Sequence, residues 1–176
     1  MILVGNNGSG KSTFINYILG FYTSSEQHPF IKNFQDKFQP LKNGEFGYSP
    51  EIAMFDTNLN ANDYIQTVAS LRNTQIDSQK ILYEVSLEIS SKTAIREYSK
   101  GMRQRLSLAL AMIGNPKYLV LDEPTSGLDE IGEKIIIEIL KKNRDKYIYI
   151  ISTHSKKLIS EIDDEVWKFE NSQIIK

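Results

Sequence analysis

The stretch that decides the fold is Gly5-Asn6-Asn7-Gly8-Ser9-Gly10-Lys11-Ser12-Thr13. It fits the pattern GxxxxGK(S/T) and lies between a short apolar run, residues 2–4, and a helix-like stretch, residues 11–19. Glycines permit a tight loop whose N–H groups surround a phosphate chain, and the dipole of the following helix attracts anions. We expect Lys11 to reach the β- and γ-phosphates of a nucleotide, Ser12 to bind Mg²⁺ and Thr13 to contact the α-phosphate. A glycine-rich turn without a ligand is the alternative, which the flanking strand and helix disfavour.

Four further motifs follow this loop in a fixed order. They are Tyr98-Ser99-Lys100-Gly101-Met102, Leu119-Val120-Leu121-Asp122-Glu123-Pro124, Ser126-Gly127-Leu128-Asp129 and Ser152-Thr153-His154. The series resembles the nucleotide-binding domain of ATP-binding-cassette (ABC) ATPases from Met1 to about His154. One glycine-rich match arises by chance in many proteins, whereas five motifs in the right order do not.

Strand-like and helix-like segments alternate along the chain. Short buried strands are expected at residues 2–4, 118–121 and 147–151, and helices at residues 11–19, 61–72, 77–89 and 102–113. Asp77 suits the N-cap of the third of these helices. This alternation predicts an α/β fold, here a P-loop NTPase with a mainly parallel sheet flanked by helices. Residues 52–115 are expected to form a helical subdomain inserted in that core, and residues 165–176 two short strands that turn at Asn171-Ser172.

Two of the expected helices carry an apolar face. In the helix expected at residues 61–72, the side chains assigned to one face are Tyr64, Ile65, Val68 and Leu71. In the helix between the last two buried strands, the side chains expected to face the sheet are Ile131, Ile135, Ile139 and Leu140.

Size and composition exclude several classes of protein. The 176 residues are enough for one domain, residues 1–176, and the 40% hydrophobic and 24% charged content is typical of a soluble protein. No apolar run reaches the ~18 residues that a membrane span needs, so any transport role requires a separate membrane subunit. The absence of cysteine favours a reducing cytosol. A net charge of −1 gives no general attraction to phosphate backbones, so no nucleic acid is expected as a partner.

Two adjacent carboxylates end the apolar run at residues 119–121. We expect Asp122 to hold Mg²⁺ through its water shell and Glu123 to act as the general base on the attacking water. Taken alone, two solvated acids before a proline turn would be the better interpretation. The phosphate loop elsewhere in the chain favours the catalytic one.

The motif at residues 98–102 is a weaker relative of the family signature LSGGQ. The resemblance implies that Ser99, Gly101 and the N–H groups at this helix start bind the γ-phosphate held by a second copy, and a serine-capped helix end is an anion site in its own right. Tyr98, Lys100 and Met102 depart from the family pattern, and the cation of Lys100 either strengthens the contact or crowds it. An ordinary capped helix is the alternative.

The resemblance assigns roles to three more residues. It implies that Asp129 crosses the interface of a dimer, although Asp129 also suits the N-cap of the following helix. It implies that His154 contacts the γ-phosphate and positions Glu123. Glu51 stands where the family commonly has glutamine, although glutamate at this place is familiar in some exporters. The resemblance implies that Glu51 meets Mg²⁺ through water. The apolar stripe at residues 52–55 then either receives the coupling helix of a membrane subunit or packs in the core.

One part of the family pattern has no counterpart in this sequence. Family domains carry two antiparallel strands and an adenine-stacking aromatic residue before the phosphate loop, which here begins at Gly5. Either the chain is a fragment or adenine is held by something else, such as a partner. Both alternatives predict weak base recognition and poor discrimination between ATP and GTP.

The resemblance therefore implies an ATP-binding and ATP-hydrolysing subunit of an ABC transporter, an exporter by its Glu51 loop. We expect two copies to sandwich ATP and Mg²⁺, to power a transmembrane permease subunit, and to lie in the cytoplasm on the inner face of the membrane. Two rivals remain open. One is a soluble ABC-type ATPase outside transport, and the other is a nucleotide-gated interaction module with impaired hydrolysis.

Overall fold

The structure is a computed structural model that describes residues 1–22, 28–88, 93–171 and 173–175. Its strands are β1 (Ile2–Val4), β2 (Phe46–Ser49), β3 (Tyr118–Asp122), β4 (Ile148–Ser152), β5 (Val166–Glu170) and β6 (Gln173–Ile175). Its α-helices are α1 (Lys11–Ile18), α2 (Ala61–Leu71), α3 (Ser78–Glu84), α4 (Lys100–Met112), α5 (Glu130–Lys142) and α6 (Lys156–Ile162). Short 3₁₀ helices cover Pro29–Asn33 and Ile95–Glu97.

The strands form one six-stranded sheet in the order β2-β3-β4-β1-β5-β6. The strands from β2 to β5 pair in parallel, and among the described residues the antiparallel ladder is that of β5 with β6. Helices lie between successive parallel strands in the chain, as such crossovers require. The predicted α/β fold with a mainly parallel sheet is confirmed.

Apolar side chains of the inner strands pack on both faces of the sheet. In β3, Val120 belongs to one buried cluster, whereas Leu119 and Leu121 on either side of it belong to the other. The first cluster includes the aromatic side chains of α1, together with Ile31 of the neighbouring 3₁₀ helix and Phe34 directly after it, and the second includes apolar residues of α2 to α6. Burial on both faces explains why these strands are continuous apolar runs rather than alternating ones.

Strand β2 packs closely against α4, which requires a glycine. A Cβ added at Gly47 would lie 1.7 Å from the carbonyl oxygen of Ala111. The backbone of the helix therefore approaches β2 more closely than any side chain at this position allows. This contact fixes α4, and with it the motif at residues 98–102, relative to the sheet.

The starts of two helices follow the predicted caps. The Asp77 side chain accepts hydrogen bonds from the N–H groups of Gln79 and Lys80, and Ser99 Oγ accepts one from the N–H of Met102 at 3.2 Å. Helix α4 consequently begins at Lys100, two residues before the predicted start. Helix α3 ends at Glu84, before the predicted end, and Ser86 has a φ of 52°, outside the helical region. The predicted end at Ile89 lies outside the described residues.

Two predicted members of apolar faces are wrong. Leu71 is 79% exposed, because the buried face of α2 is centred on Ala61, Ile65 and Ala69, and Leu71 lies a third of a turn away from Ile65. Ile131 is 71% exposed at the start of α5, whose buried residues begin at Ile136.

Two short strands were expected in residues 165–176, and β5 and β6 are those strands, paired antiparallel. Asn171, directly after β5, has a φ of 49°, a conformation that asparagine tolerates in tight turns. The other predicted turn residue, Ser172, and the predicted end at Lys176 lie outside the described residues. No helix in the described part of the chain combines the length and the apolar character needed to cross a membrane.

Candidate functional site

The carboxyl ends of four neighbouring parallel strands, β1 to β4, meet at one edge of the sheet. The loops that follow them enclose a cavity of about 780 Å³. Its lining includes Asn7, Gly8, Ser9, Gly10, Lys11, Ser12, Thr13, Phe30, Glu51, Asp122, Glu123, Thr125, Ser126, Glu133, His154 and Ser155. Most residues that the sequence predicted as nucleotide, metal and catalytic ligands are thus brought together from distant parts of the chain.

The loop after β1 holds a buried lysine at its centre. Lys11 Nζ donates a hydrogen bond of 2.6 Å to the carbonyl oxygen of Gly5 and lies 3.4 Å from the carbonyl oxygen of Asn6. Gly5 has a φ of 154°, and a Cβ there would lie 2.3 Å from the carbonyl oxygen of Phe169 in β5. Gly5 and Asn6 therefore shape the loop and hold the lysine, while residues 7–13 face the cavity. An ammonium group and the start of α1 together give this end of the cavity a positive potential.

The two carboxylates after β3 are fixed by one buried hydroxyl of β4. Ser152 Oγ donates a hydrogen bond to Asp122 Oδ1 and accepts one of 3.0 Å from the N–H of Glu123. Ser152 is fully buried. Glu123 has a φ of 47°, and such left-handed conformations of non-glycine residues are concentrated at functional sites. Asp122 and Glu123 thus turn into the cavity with their backbone held from the neighbouring strand.

Glu123 and His154 contact each other twice. Glu123 Oε2 accepts a hydrogen bond of 3.2 Å from the N–H of His154, and Glu123 Oε1 lies 3.2 Å from His154 Nε2. The same imidazole nitrogen lies 3.4 Å from Lys11 Nζ. Burial raises the pKa of the Glu123 carboxyl, and the nearby His154 opposes that shift. A raised pKa strengthens the carboxylate as a proton acceptor near neutral pH, as a general base requires.

The oxygen donors in the cavity fit a Mg²⁺ ion. Ser12, Glu51 and Asp122 line the same cavity and supply a hydroxyl and two carboxylates, the ligand types that Mg²⁺ prefers. Burial raises the pKa of Asp122, the hydrogen bond from Ser152 opposes this, and the charge of Glu51 raises it further. A bound cation would relieve that repulsion. Glu51 Oε1 also accepts a hydrogen bond of 3.1 Å from Ser126 Oγ, which ties the loop after β2 to the loop after β3.

The remaining predicted residues lie in a second pocket of about 460 Å³. Ser99, Gly101 and Asp129 line it together with Lys100 and Arg105, and none of them lines the first cavity. Asp129 Oδ1 accepts a hydrogen bond of 2.7 Å from the N–H of Gly132 and so caps α5. Within one copy, the residues predicted to contact a γ-phosphate across an interface are therefore separate from the phosphate loop.

Several cavity residues had no predicted role. Phe30 belongs to a segment in which the sequence shows no motif. Ser155 and Glu133, whose side chains are hydrogen bonded to each other, belong to none of the five motifs. Ser152 belongs to a recognised motif, but nothing local in the sequence indicates that it contacts the acids after β3. Such contacts depend on strand order, which a local pattern does not contain.

Parallel sheet, phosphate loop and converging strand ends together define a P-loop NTPase. The sequence pattern described as ABC transporter matches residues 1–126, and the chain belongs to that family. It is accordingly an ABC-type ATP hydrolase and a binder of adenine nucleotides.

Three known proteins illustrate the relationship. The chain is 32% identical over 187 residues to a Pyrococcus abyssi protein that carries the name ABC transporter ATP-binding protein, covering 99% of this chain and 70% of that one. It is 27% identical over 161 residues to the phospholipid-transporting ATPase ABCA3 of Rattus norvegicus, covering 87% of this chain and 9% of that one. The solved dimeric ATP-binding cassette MJ0796 bound to ADP and Pi has the same fold, with a TM-score of 0.76 at 19% identity over 99% of this chain and 82% of that one. The chain thus spans most of the archaeal relative and a small part of the rat protein.

Proposed function

We propose that this chain is the ATP-hydrolysing subunit of an ABC exporter and that residues 1–176 act as one ATPase domain. The observation that carries the proposal is the contact of Glu123 with His154 in the cavity that also contains Lys11. Hydrolysis of a terminal phosphate requires a general base, a group that positions this base and a cation that binds the phosphate, all within one cavity.

Each cavity residue has a part in this chemistry. The N–H groups of residues 5–13 and the ammonium of Lys11 hold the phosphate chain, with Lys11 leaving its contact with Gly5 to reach the β- and γ-phosphates. Ser12, Asp122 and Glu51 would hold Mg²⁺, which would supply positive charge beside the transferred phosphoryl group. Glu123 orients and deprotonates the attacking water, while His154 holds Glu123 and contacts the γ-phosphate.

The second pocket supports assembly of two copies. In a head-to-tail pair, Ser99, Gly101 and the N–H groups at the start of α4 of one copy would meet the γ-phosphate held by the other. Asp129 would cross the same interface. Lys100 lies against Gly127, since a Cβ added there would lie 2.2 Å from Lys100 Nζ, so its cation is already in this pocket. We interpret Lys100 as strengthening the phosphate contact.

An exposed apolar stripe supports a membrane partner. Ile52 is 76% exposed and Met54 91% exposed, directly after Glu51, whereas Phe55 packs against Tyr64 of α2. Exposed apolar side chains in such a cluster are typical of a protein interface. We propose that this stripe, at the start of the helical part at residues 52–115, receives a permease segment. The chain then lies on the cytoplasmic face of the membrane, and nucleic acid is not a partner.

The test is ATP turnover by the Glu123→Gln variant. We expect turnover to fall by about 10²–10⁴, because the amide cannot accept the proton of the attacking water, while nucleotide binding is retained. Phosphate release and equilibrium ATP binding are measured on the same preparations. Full turnover in the variant would show that another group is the base.

A further inference from the structure

One phenyl ring lies on the wall of a cavity that is otherwise polar. Phe30 is 42% exposed and lines the cavity that contains the phosphate loop. Among the described lining residues it is the one large apolar side chain; the others are glycines or carry hydroxyl, amide, carboxylate, ammonium or imidazole groups. No motif of the sequence accounts for a hydrophobic ring at this place.

The ring is presented by a well-anchored segment. Ile31 and Phe34, one and four residues further on, are fully buried, and the ring of Phe34 packs edge-on against that of Phe14 in α1 at a centroid distance of 5.4 Å. The N–H of Phe30 donates a hydrogen bond of 3.4 Å to His28 Nδ1, and the two rings lie 5.2 Å apart. The buried residues that follow Phe30 and the contact with His28 thus place its aromatic ring at the cavity wall.

We propose that Phe30 is the stacking platform for the base of the bound nucleotide. The inference rests on the nucleotide site proposed above and adds how that site treats the end of the ligand remote from the phosphates. The polar groups of the cavity match the triphosphate of a nucleotide. The flat and largely apolar base requires a different surface, and the ring of Phe30 is an apolar one. A volume of about 780 Å³ accommodates a nucleoside triphosphate with its base against this ring.

Stacking on Phe30 adds affinity without selecting the base. A phenyl ring has no hydrogen-bond donor or acceptor to read the edge of a purine, and every base has a π-face. ATP and GTP should therefore gain equally from the contact. Equal gains for the two nucleotides agree with the poor discrimination between ATP and GTP that the sequence predicts. They also mean that a surface for the nucleotide base need not select one base over another.

The test compares nucleotides with a ligand that has no base. Binding of ATP, GTP and inorganic tripolyphosphate, each with Mg²⁺, is measured by titration calorimetry in the full chain carrying Glu123→Gln, which limits turnover. Phe30→Ala should weaken ATP and GTP by the same factor, about tenfold, and leave tripolyphosphate unchanged. Phe30→Trp should retain nucleotide affinity. The matched control is Phe21→Ala, which removes a ring that is 63% exposed and outside the described cavity lining, and it should alter none of the three.

Three results would overturn the inference. Unchanged ATP and GTP affinity in Phe30→Ala would show that the ring does not contact the base. Equal weakening of tripolyphosphate would show that Phe30 shapes the phosphate loop instead. A loss confined to one nucleotide would show readout of the base edge rather than stacking. If the Glu123→Gln parent with Phe30 intact bound none of the ligands, the nucleotide site itself would be refuted. That result is distinct from the three above, because each of them requires the parent to bind ATP or tripolyphosphate.

Discussion

Ser152 illustrates how a single hydroxyl organises the catalytic groups. It lies on β4, and its Oγ contacts both Asp122 and the backbone of Glu123 on β3. By donating to the Asp122 carboxylate it favours the ionised form that binds a metal. Residues that orient metal ligands in this way typically change metal affinity when they are replaced.

We predict that Ser152→Ala raises the Mg²⁺ concentration for half-maximal ATP turnover about tenfold or more, because Asp122 loses the hydrogen bond that orients and stabilises it. The measurement is a Mg²⁺ titration of phosphate release at fixed ATP. Ser49→Ala is a matched control, since Ser49 is also a buried serine at the end of a parallel strand but is bonded to Ser107 Oγ at 2.8 Å. Identical Mg²⁺ requirements in the two variants would contradict the role of Ser152.

Asp129, at the start of helix α5, has one contact within its own helix and a second predicted role at an interface between copies. Asp129 caps the helix through the N–H of Gly132, and it also lines the second pocket. The sequence left both roles open. The structure gives the cap its geometry, whereas the role at an interface remains a prediction.

At the scale of the helix, the two roles of Asp129 are separable. We predict that Asp129→Ala lowers the free energy of unfolding by about 1 kcal/mol through loss of the cap, and that Asp129→Asn does not, because asparagine caps equally well. Both should weaken nucleotide-driven dimerisation in the Glu123→Gln background. Asp77→Ala, which removes the cap of α3 outside both pockets, is the control: it should cost similar stability but leave dimerisation intact. Dimerisation of Asp129→Ala equal to that of the control would confine Asp129 to its capping role.

For the molecule as a whole, the sequence predicted what local patterns encode. The glycine loop, the acids after β3 and the caps at Ser99 and Asp77 depend on neighbouring residues, and alternating strands and helices were sufficient for the parallel sheet. Phe30 and Ser152 were missed because their roles depend on contacts with residues far away in the chain. Leu71 and Ile131 were misplaced because apolar character alone does not tell which side of a helix the core occupies.

The separation of the two pockets has a consequence for assembly. In a single copy the phosphate loop and Glu123 line one cavity, whereas Ser99 and Asp129 line another, so the residues of one copy do not surround the γ-phosphate on both sides. Two copies related head to tail would complete both sites with the same surfaces. We therefore propose that ATP and Mg²⁺ join two copies, and that hydrolysis at Glu123 lets them part.

Nucleotide-driven assembly is tested by the solution mass of the Glu123→Gln variant, measured by light scattering with and without ATP and Mg²⁺. We expect a monomer without nucleotide and a dimer with it. No such shift is expected when Lys11→Ala is added, because the phosphate chain then loses its cation. A monomer under both conditions, with ATP shown to be bound, would contradict the claim.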